Sequence, residues 1–287
     1  MKKIVFLLAA FWLIQQNLHA DSKKPAPPTP PTSRPTIEEA AKPKEADAPL
    51  YTLDSPEMPK AADGTKLARI LQSQVLRACV RSDVPPFGYF LGRRLVGYDI
   101  DLVEQIAQRL SVYYKRNLTI EWTVINAGSR ISSLQQDTCD IVAAAFSHTK
   151  ARAKLVGFSK VYLKTNKVLI SAETTRKNPV LAIVRGTTTP DAQSLFNAEI
   201  RFFENYKEII YAMESGSIDY VITDHPIALH MIRSVSKKYK IVKSLGLSEE
   251  YAIGVQLENK TLLHVTDLIL LDLAQSGKLA YLQRQWL

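Results

Sequence analysis

The chain has little cysteine, and its histidines show no pattern typical of a metal site. Only two cysteines, Cys79 and Cys139, occur in 287 residues, whereas a structural zinc site typically needs about four ligands. The five histidines lack a spacing such as His-Glu-x-x-His. We therefore expect no bound metal and no cofactor. The two cysteines are interpreted as buried thiols that pack as small apolar side chains, with a disulfide as the open alternative.

Long runs of like charge are also absent. The formal net charge is +9, yet the basic residues are spread along the chain rather than clustered in blocks of five or six. Arg185–Thr189 contains Gly186 but lacks the glycine–lysine pattern of a nucleotide-binding loop. Nucleic-acid and nucleotide binding are therefore not expected, and a mildly basic surface that attracts small anions is favoured.

A long apolar run occurs once, at the N-terminus. Lys2 and Lys3 precede the apolar residues 4–14, and a polar stretch then ends at Ala20. Eleven apolar residues are too few for a comfortable membrane span, which needs about 20. The pattern predicts a secretory signal peptide over residues 1–20, cleaved after Ala20, and therefore a periplasmic protein.

Residues 21–66 form a low-complexity segment. Ten of the fifteen prolines lie between Pro25 and Pro59, among lysine, glutamate, alanine and threonine. Proline stiffens such a segment, and its few large apolar residues cannot support a core. We predict an extended, disordered spacer between the signal peptide and the folded part.

From Leu67 onward, apolar strand patterns alternate with amphipathic helical patterns. Asp101 and Glu104 have the spacing of a capping box at one helix start, and Pro190 suits a first helical turn. The predicted strands are 75–80, 119–124, 141–145, 168–171, 181–184, 219–222 and 251–255, and the predicted helices are 101–110, 130–135, 206–213, 227–235, 261–274 and 279–286. Alternation of this kind predicts an α/β fold with mainly parallel sheets, and two such sets indicate two lobes with a cleft where strand ends meet.

Two groups of opposite charge follow predicted strands. Arg152 comes shortly after strand 141–145, and a guanidinium offers a fork of donors that fits a carboxylate. Asp224 ends strand 220–224 and can hold an ammonium group. One anion-binding and one cation-binding group together favour a receptor for an α-amino acid.

Several segments resemble the bacterial type-3 extracellular solute-binding proteins, the polar amino-acid receptors of ABC importers. The resemblance covers roughly Leu67–Leu287 and rests on segments 81–87, 95–101, 139–142, 158–162, 186–188, 214–219 and 276–286. It implies a type II periplasmic binding protein with two lobes, 67–168 plus 256–287 and 169–255, joined by hinges near Lys167–Ser171 and Ile253–Leu257. It further implies a monomer whose partners are a small amino acid and an inner-membrane ABC permease.

The resemblance also assigns ligand contacts. Arg152 matches the arginine that grips the α-carboxylate, with Ser147 as its hydroxyl neighbour. Thr188 matches a donor of the second lobe, with Thr187 in the same turn. Asp224 matches the carboxylate that holds the α-ammonium group.

Two further arginines resemble the glutamate- and aspartate-binding branch. Arg81 and Arg130 match residues that face the ligand's side-chain carboxylate, and the Ala145 carbonyl is expected to accept from the ammonium group. The expected ligand is therefore a polar, acidic amino acid. Surface ion pairs for Arg81 and Arg130 are the alternative.

Two other functions stay open. An accessory protein with altered or lost ligand binding is suggested by Val84 and Ala127, which stand where many family members have aromatic clamps. Cyclohexadienyl dehydratases resemble these receptors, but they have a glutamate soon after the Gly-Thr turn, where this chain has Thr189–Asp191. An enzyme is therefore not expected.

Overall fold

The structure is a computed structural model that describes residues 58–189 and 197–287. The predicted signal peptide, most of the predicted spacer and the helix start at Pro190 lie outside these residues. Met58 is buried in the main apolar cluster, and Pro59 accepts a hydrogen bond from the Tyr114 hydroxyl at 2.7 Å. Packed structure therefore begins before Leu67. None of the helices in the described ranges has both the length and the apolar character that a membrane span requires.

Helices and strands alternate along the described chain. The helices are α1 (Lys66–Ser73), α2 (Tyr98–Tyr113), α3 (Arg130–Gln135), α4 (Tyr206–Ser215), α5 (His225–Arg233), α6 (Lys260–Gln275) and α7 (Lys278–Trp286). The strands are β1 (Val75–Val80), β2 (Asp83–Val84), β3 (Gly88–Leu91), β4 (Arg94–Val96), β5 (Thr119–Val124), β6 (Ile141–Ala143), β7 (Gly157–Ala172), β8 (Val180–Val184), β9 (Glu199–Phe203), β10 (Tyr220–Asp224) and β11 (Tyr239–Val255).

The strands of the main sheet follow the order β5-β1-β6-β11-β7-β10-β8-β9. In the first half β1 pairs in parallel with both β5 and β6, and in the second half β8 pairs in parallel with β10 and β9. Every residue of β8 is buried, as expected for a strand covered on both faces. The two parallel sets and their flanking helices confirm the predicted two-lobed α/β fold.

Two long strands connect the halves. β7 and β11 pair with each other in antiparallel fashion along most of their length. Gly254 and Val255 of β11 also pair with β6 of the first half, whereas Tyr239 and Lys240 pair with β7 near Ser171 in the second half. β11 therefore passes from one half to the other between Lys240 and Gly254, and the hinge at 253–257 stays a prediction.

A small three-stranded sheet, β2-β3-β4, precedes α2 and was missed by the sequence analysis. Gly97 closes this hairpin with φ 141°, and a Cβ there would lie 2.1 Å from the Phe87 carbonyl oxygen. The turn requires glycine for both reasons. α2 then starts at Tyr98, with no side-chain cap. The capping box predicted from Asp101 and Glu104 is wrong because Asp101 already lies within the first helical turn.

Cys79 and Cys139 form a disulfide, with Cα atoms 5.7 Å apart. The interpretation as free thiols is therefore wrong. Cys79 is level with Val142 in the pairing of β1 with β6, so the two cysteines are not opposite each other in the sheet. The chain before β6 bends toward β1, and the Asp140 N–H donates to the Arg77 carbonyl at 2.8 Å. This approach brings Cys139 beside Cys79.

Candidate functional site

The predicted site residues come together where the ends of β6, β8 and β10 face each other. Arg130 begins α3, Arg152 lies in a 3₁₀ turn after β6, and Asp224 ends β10. A small cavity at this point is lined by Arg81, Arg130, Ala145, Ser147, Thr187, Thr188, Tyr206, Asp224 and Ile227. Its volume is about 10 Å³, roughly the space of one water molecule. The two halves are closed on each other here.

Arg152 spans the two halves with its guanidinium. Nη1 donates to the Ser147 carbonyl and Nη2 to the Gly186 carbonyl, each at 2.9 Å. The guanidinium lies 5.3 Å from the centre of the Phe146 ring. Burial lowers the pKa of Arg152, while Glu249, Tyr251 and Asp224 oppose this change. The two donors of the Arg152 guanidinium are therefore bound to neutral carbonyl oxygens, in place of the charged oxygens of a carboxylate.

Arg130 is buried, with 2% of its surface exposed. Nε donates to the Ala127 carbonyl at 2.8 Å, Nη1 to the Ala145 carbonyl at 2.8 Å and Nη2 to the Gly186 carbonyl at 2.9 Å. Burial, followed by the charges of Arg152 and Arg81, lowers the pKa of Arg130 to about 9. The group therefore stays protonated at pH 7, and a nearby negative charge would stabilise it.

Arg81 has a carboxylate partner of its own. Nε and Nη2 donate to the two oxygens of Asp83 at 2.9 and 2.6 Å, and the guanidinium stacks 5.3 Å from the Tyr206 ring centre. Arg81 is 2% exposed, so this is a buried pair rather than the surface pair considered from the sequence. Asp83 also accepts from the Tyr206 N–H at 3.2 Å, which links the two halves.

Asp224 is occupied by groups of the protein itself. Oδ1 accepts from Lys167 Nζ at 2.8 Å, and Oδ2 accepts from the Tyr251 hydroxyl at 2.5 Å. Burial lowers the pKa of Lys167, but the nearby Asp224, Tyr206 and Glu249 outweigh burial and the pKa is raised overall. The sequence analysis missed Lys167 as part of the site. The available signal was a lysine at the start of an otherwise apolar strand stretch, 167–170.

The hydroxyl groups predicted for the site differ in availability. Thr188 Oγ1 donates to Glu249 Oε1 at 2.7 Å and lies 3.5 Å from Ser147 Oγ. The Thr187 hydroxyl instead donates to the Val184 carbonyl at 2.7 Å. The Ala145 carbonyl, expected to receive an ammonium group, accepts from Arg130. Of these groups, Ser147 and Thr188 are the hydroxyls that face the opposite half.

Asp99 supports the site from beneath and was missed by the sequence analysis as a site residue. Its carboxylate accepts from the Ala145 N–H and the Tyr162 hydroxyl, both at 2.7 Å, and thereby fixes Ala145 in a left-handed conformation with φ 44°. Burial raises the pKa of Asp99 to about 6, although these two hydrogen bonds oppose the rise. Asp99 therefore fixes the loop around Ala145, whose carbonyl accepts from Arg130.

Residues 76–287 match the family described as bacterial extracellular solute-binding proteins, family 3. The chain belongs to this family. The match covers both halves of the described fold, including every residue that lines the cavity. The resemblance stated from the sequence is thereby confirmed.

Named relatives of the chain are amino-acid-binding proteins. The chain is 26% identical over 243 residues to the ABC transporter glutamine-binding protein GlnH of Bacillus subtilis, across 80% of this chain and 88% of that protein. It is 22% identical over 181 residues to the glutamate-binding protein GluB of Corynebacterium glutamicum, across 57% of this chain and 61% of that protein. The family and these relatives are binding proteins rather than enzymes.

Solved structures agree on the fold. An ancestral arginine-binding protein bound to arginine has a TM-score of 0.67 and 25% identity, with 74% of this chain and 98% of that chain covered. The cysteine-binding protein from Campylobacter jejuni has a TM-score of 0.68 and 24% identity, over 78% of this chain and 93% of that chain. An ancestral amino acid-binding protein, a precursor of cyclohexadienyl dehydratase, has a TM-score of 0.68 at 24% identity, over 77% of this chain and 99% of that chain. The last two likenesses concern the fold alone.

Proposed function

We propose that this chain is a periplasmic receptor that captures an acidic amino acid, or a carboxylate of the same size, and delivers it to an ABC importer. The observation that carries the proposal is the pair Arg130 and Arg152. In the ranges that the structure describes, neither guanidinium makes an ion pair with a carboxylate, and both donate to the single carbonyl of Gly186. The hydrogen bonds of these two cations would be stronger to a ligand carboxylate than to the neutral oxygen that they share.

Lobe closure supplies the capture step. The contacts of Arg130 and Arg152 with Gly186, and of Asp83 with Tyr206, join the two halves across the closed cleft. Separation of the halves would break them. A ligand shifts the population toward closure only through contacts that differ between the open and closed states. A carboxylate between the two arginines would replace a neutral acceptor with a charged one, which favours closure over the ligand.

Calorimetry with matched variants tests this proposal. Mature protein is titrated with the amino acids and with small carboxylates, and one ligand should bind per chain. Arg152→Ala should weaken binding at least about tenfold because the fork no longer reaches the carboxylate. Arg185→Ala is the control, since Arg185 is in the same turn region but exposed and paired with Glu204 at 2.8 Å. Folded wild-type protein that binds no compound of either set would contradict the proposal.

A second candidate function is an interaction protein that kept the binding fold. The observation that favours it is the closed cleft, whose charged side chains hydrogen-bond to groups of the protein itself and whose cavity is about 10 Å³. Such a protein would act through its surface. Transport or growth that depends on the chain but is unchanged by Arg152→Ala would support this second function over the receptor.

A further inference from the structure

Lys167 is built into the cleft as a buried cation. It lies on β7, directly opposite Asp224 of β10 in the antiparallel register, and 2% of its surface is exposed. Its ammonium group is 2.8 Å from Asp224 Oδ1 and 3.5 Å from Glu249 Oε1. A buried ammonium group is costly without a partner. Lys167 and these two carboxylates therefore depend on one another.

This arrangement uses both oxygens of Asp224. Lys167 takes Oδ1, and the Tyr251 hydroxyl, itself fully buried, takes Oδ2 at 2.5 Å. Glu249, the other carboxylate near Lys167, accepts the hydroxyl of Thr188 at 2.7 Å. An ammonium group arriving with a ligand would have to displace Lys167 from Asp224, or share Asp224 with it at close range.

The remaining charges of the cleft make the binding of a ligand ammonium group still less favourable. Arg81 and Arg130 line the cavity, and Arg152 donates to the same Gly186 carbonyl as Arg130. Among these three, only Arg81 has a carboxylate partner within the described ranges, Asp83. Counted with Lys167, these are four cations beside the four carboxylates of Asp83, Asp224, Glu249 and the deeper Asp99. Arg130 and Arg152 nevertheless donate to backbone carbonyls rather than to any of these carboxylates. A second ammonium group would face like charges in a site of low dielectric constant, whereas a carboxylate would relieve them.

We propose that Lys167 takes the position of the ligand's ammonium group, so that the cleft selects small carboxylates without an α-amino group over the matching α-amino acids. The proposal rests on the proposed receptor function and narrows its ligand class. Lys167 would then determine specificity, because it neutralises Asp224 permanently while Arg130 and Arg152 hold the carboxylate end. Mono- and dicarboxylic acids, including their 2-oxo and 2-hydroxy forms, belong to this class.

Matched pairs of compounds test the proposal in the wild-type protein. Propionate and alanine, succinate and aspartate, and glutarate and glutamate differ within each pair only by the α-ammonium group. Isothermal titration of the mature protein should give at least about tenfold tighter binding for the unaminated member of the pair that binds best. Glutamate, aspartate or alanine binding as tightly as its unaminated partner would overturn the proposal and leave the receptor function intact.

Variants of Lys167 provide the second readout. Lys167→Met keeps the length of the side chain but frees Asp224, so the preference should shift toward the amino acid. Lys167→Arg keeps the cation and should retain the wild-type preference, which guards against a Met variant that fails to fold. Lys164→Met is the matched control, because Lys164 lies on the same strand but is exposed and paired with Glu250 at 2.7 Å; its preference should equal that of the wild type.

Two further outcomes separate the proposals. A folded Lys167→Met protein with the unaltered preference of the wild type would overturn the role of Lys167 alone. Absence of binding for every compound, in wild-type and variant proteins that each melt cooperatively, would overturn the receptor function and this inference together.

Discussion

Three arginines of the cleft are satisfied in different ways, and the difference determines what each can do. Arg81 is neutralised by the two oxygens of Asp83, so its charge is balanced before a ligand arrives. Arg130 and Arg152 donate to backbone carbonyls, which leaves their charge unbalanced. Arg81 is therefore better suited to shaping the cleft and contacting Tyr206, and the other two are better suited to binding an anion.

Asp99 gives a prediction at the same scale. Because burial raises its pKa to about 6 from the ordinary 3.8, the folded protein binds a proton in a pH range where the unfolded chain has released it. The stability that this proton contributes is fully present below about pH 4 and is lost as the pH rises through 6. The free energy of unfolding of the wild type, minus that of Asp99→Asn, should therefore fall between pH 4 and pH 7.

Urea unfolding of both proteins at several pH values measures this difference. The expected fall belongs to Asp99 alone, because the other titrating groups are shared by the two proteins and cancel. A difference that stays constant across the range, or that rises with pH, would contradict the assignment of Asp99 as a carboxyl with a raised pKa.

At the scale of helices and strands, periodicity predicted most of the fold. β1 and β5 lie where the apolar patterns placed them. α6 begins and ends one residue outside its predicted range, and α7 begins one residue early and ends at the predicted residue. The two long strands β7 and β11 were only partly predicted, because their exposed middle sections carry polar residues such as Lys164 and Glu250 that resemble loops. The disulfide was left open because Cys139 precedes its strand, and sequence alone does not show how that segment bends.

The disulfide gives the prediction for this scale. It closes a loop of 60 residues between β1 and the segment before β6, and a cross-link of this kind limits the freedom of the unfolded chain. Replacing both cysteines with alanine should lower the free energy of unfolding by about 2–4 kcal/mol. Guanidinium unfolding of the mature wild-type protein and the double variant measures the loss; equal stability in the two proteins would contradict it.

At the scale of the whole molecule, the site follows from topology. The ends of β6 and β8 lie in different halves, and closure brings Arg130 and Arg152 from one half to Gly186 of the other. The sequence could predict which residue types meet there, because the resemblance assigned Arg152, Ser147, Thr188 and Asp224. It could not predict that Lys167 would satisfy Asp224, since that contact depends on the register between β7 and β10.

Native mass spectrometry offers the most direct test of the claim that the cleft holds an anion through Arg130 and Arg152. Mature protein is stripped of small molecules by unfolding, refolded, and mixed with equal concentrations of amino acids and small carboxylates. The account predicts one bound anion per chain in the wild type and in Arg185→Ala, and its loss in Arg152→Ala. A bound cationic amino acid, or an anion that Arg152→Ala retains at the wild-type level, would contradict it.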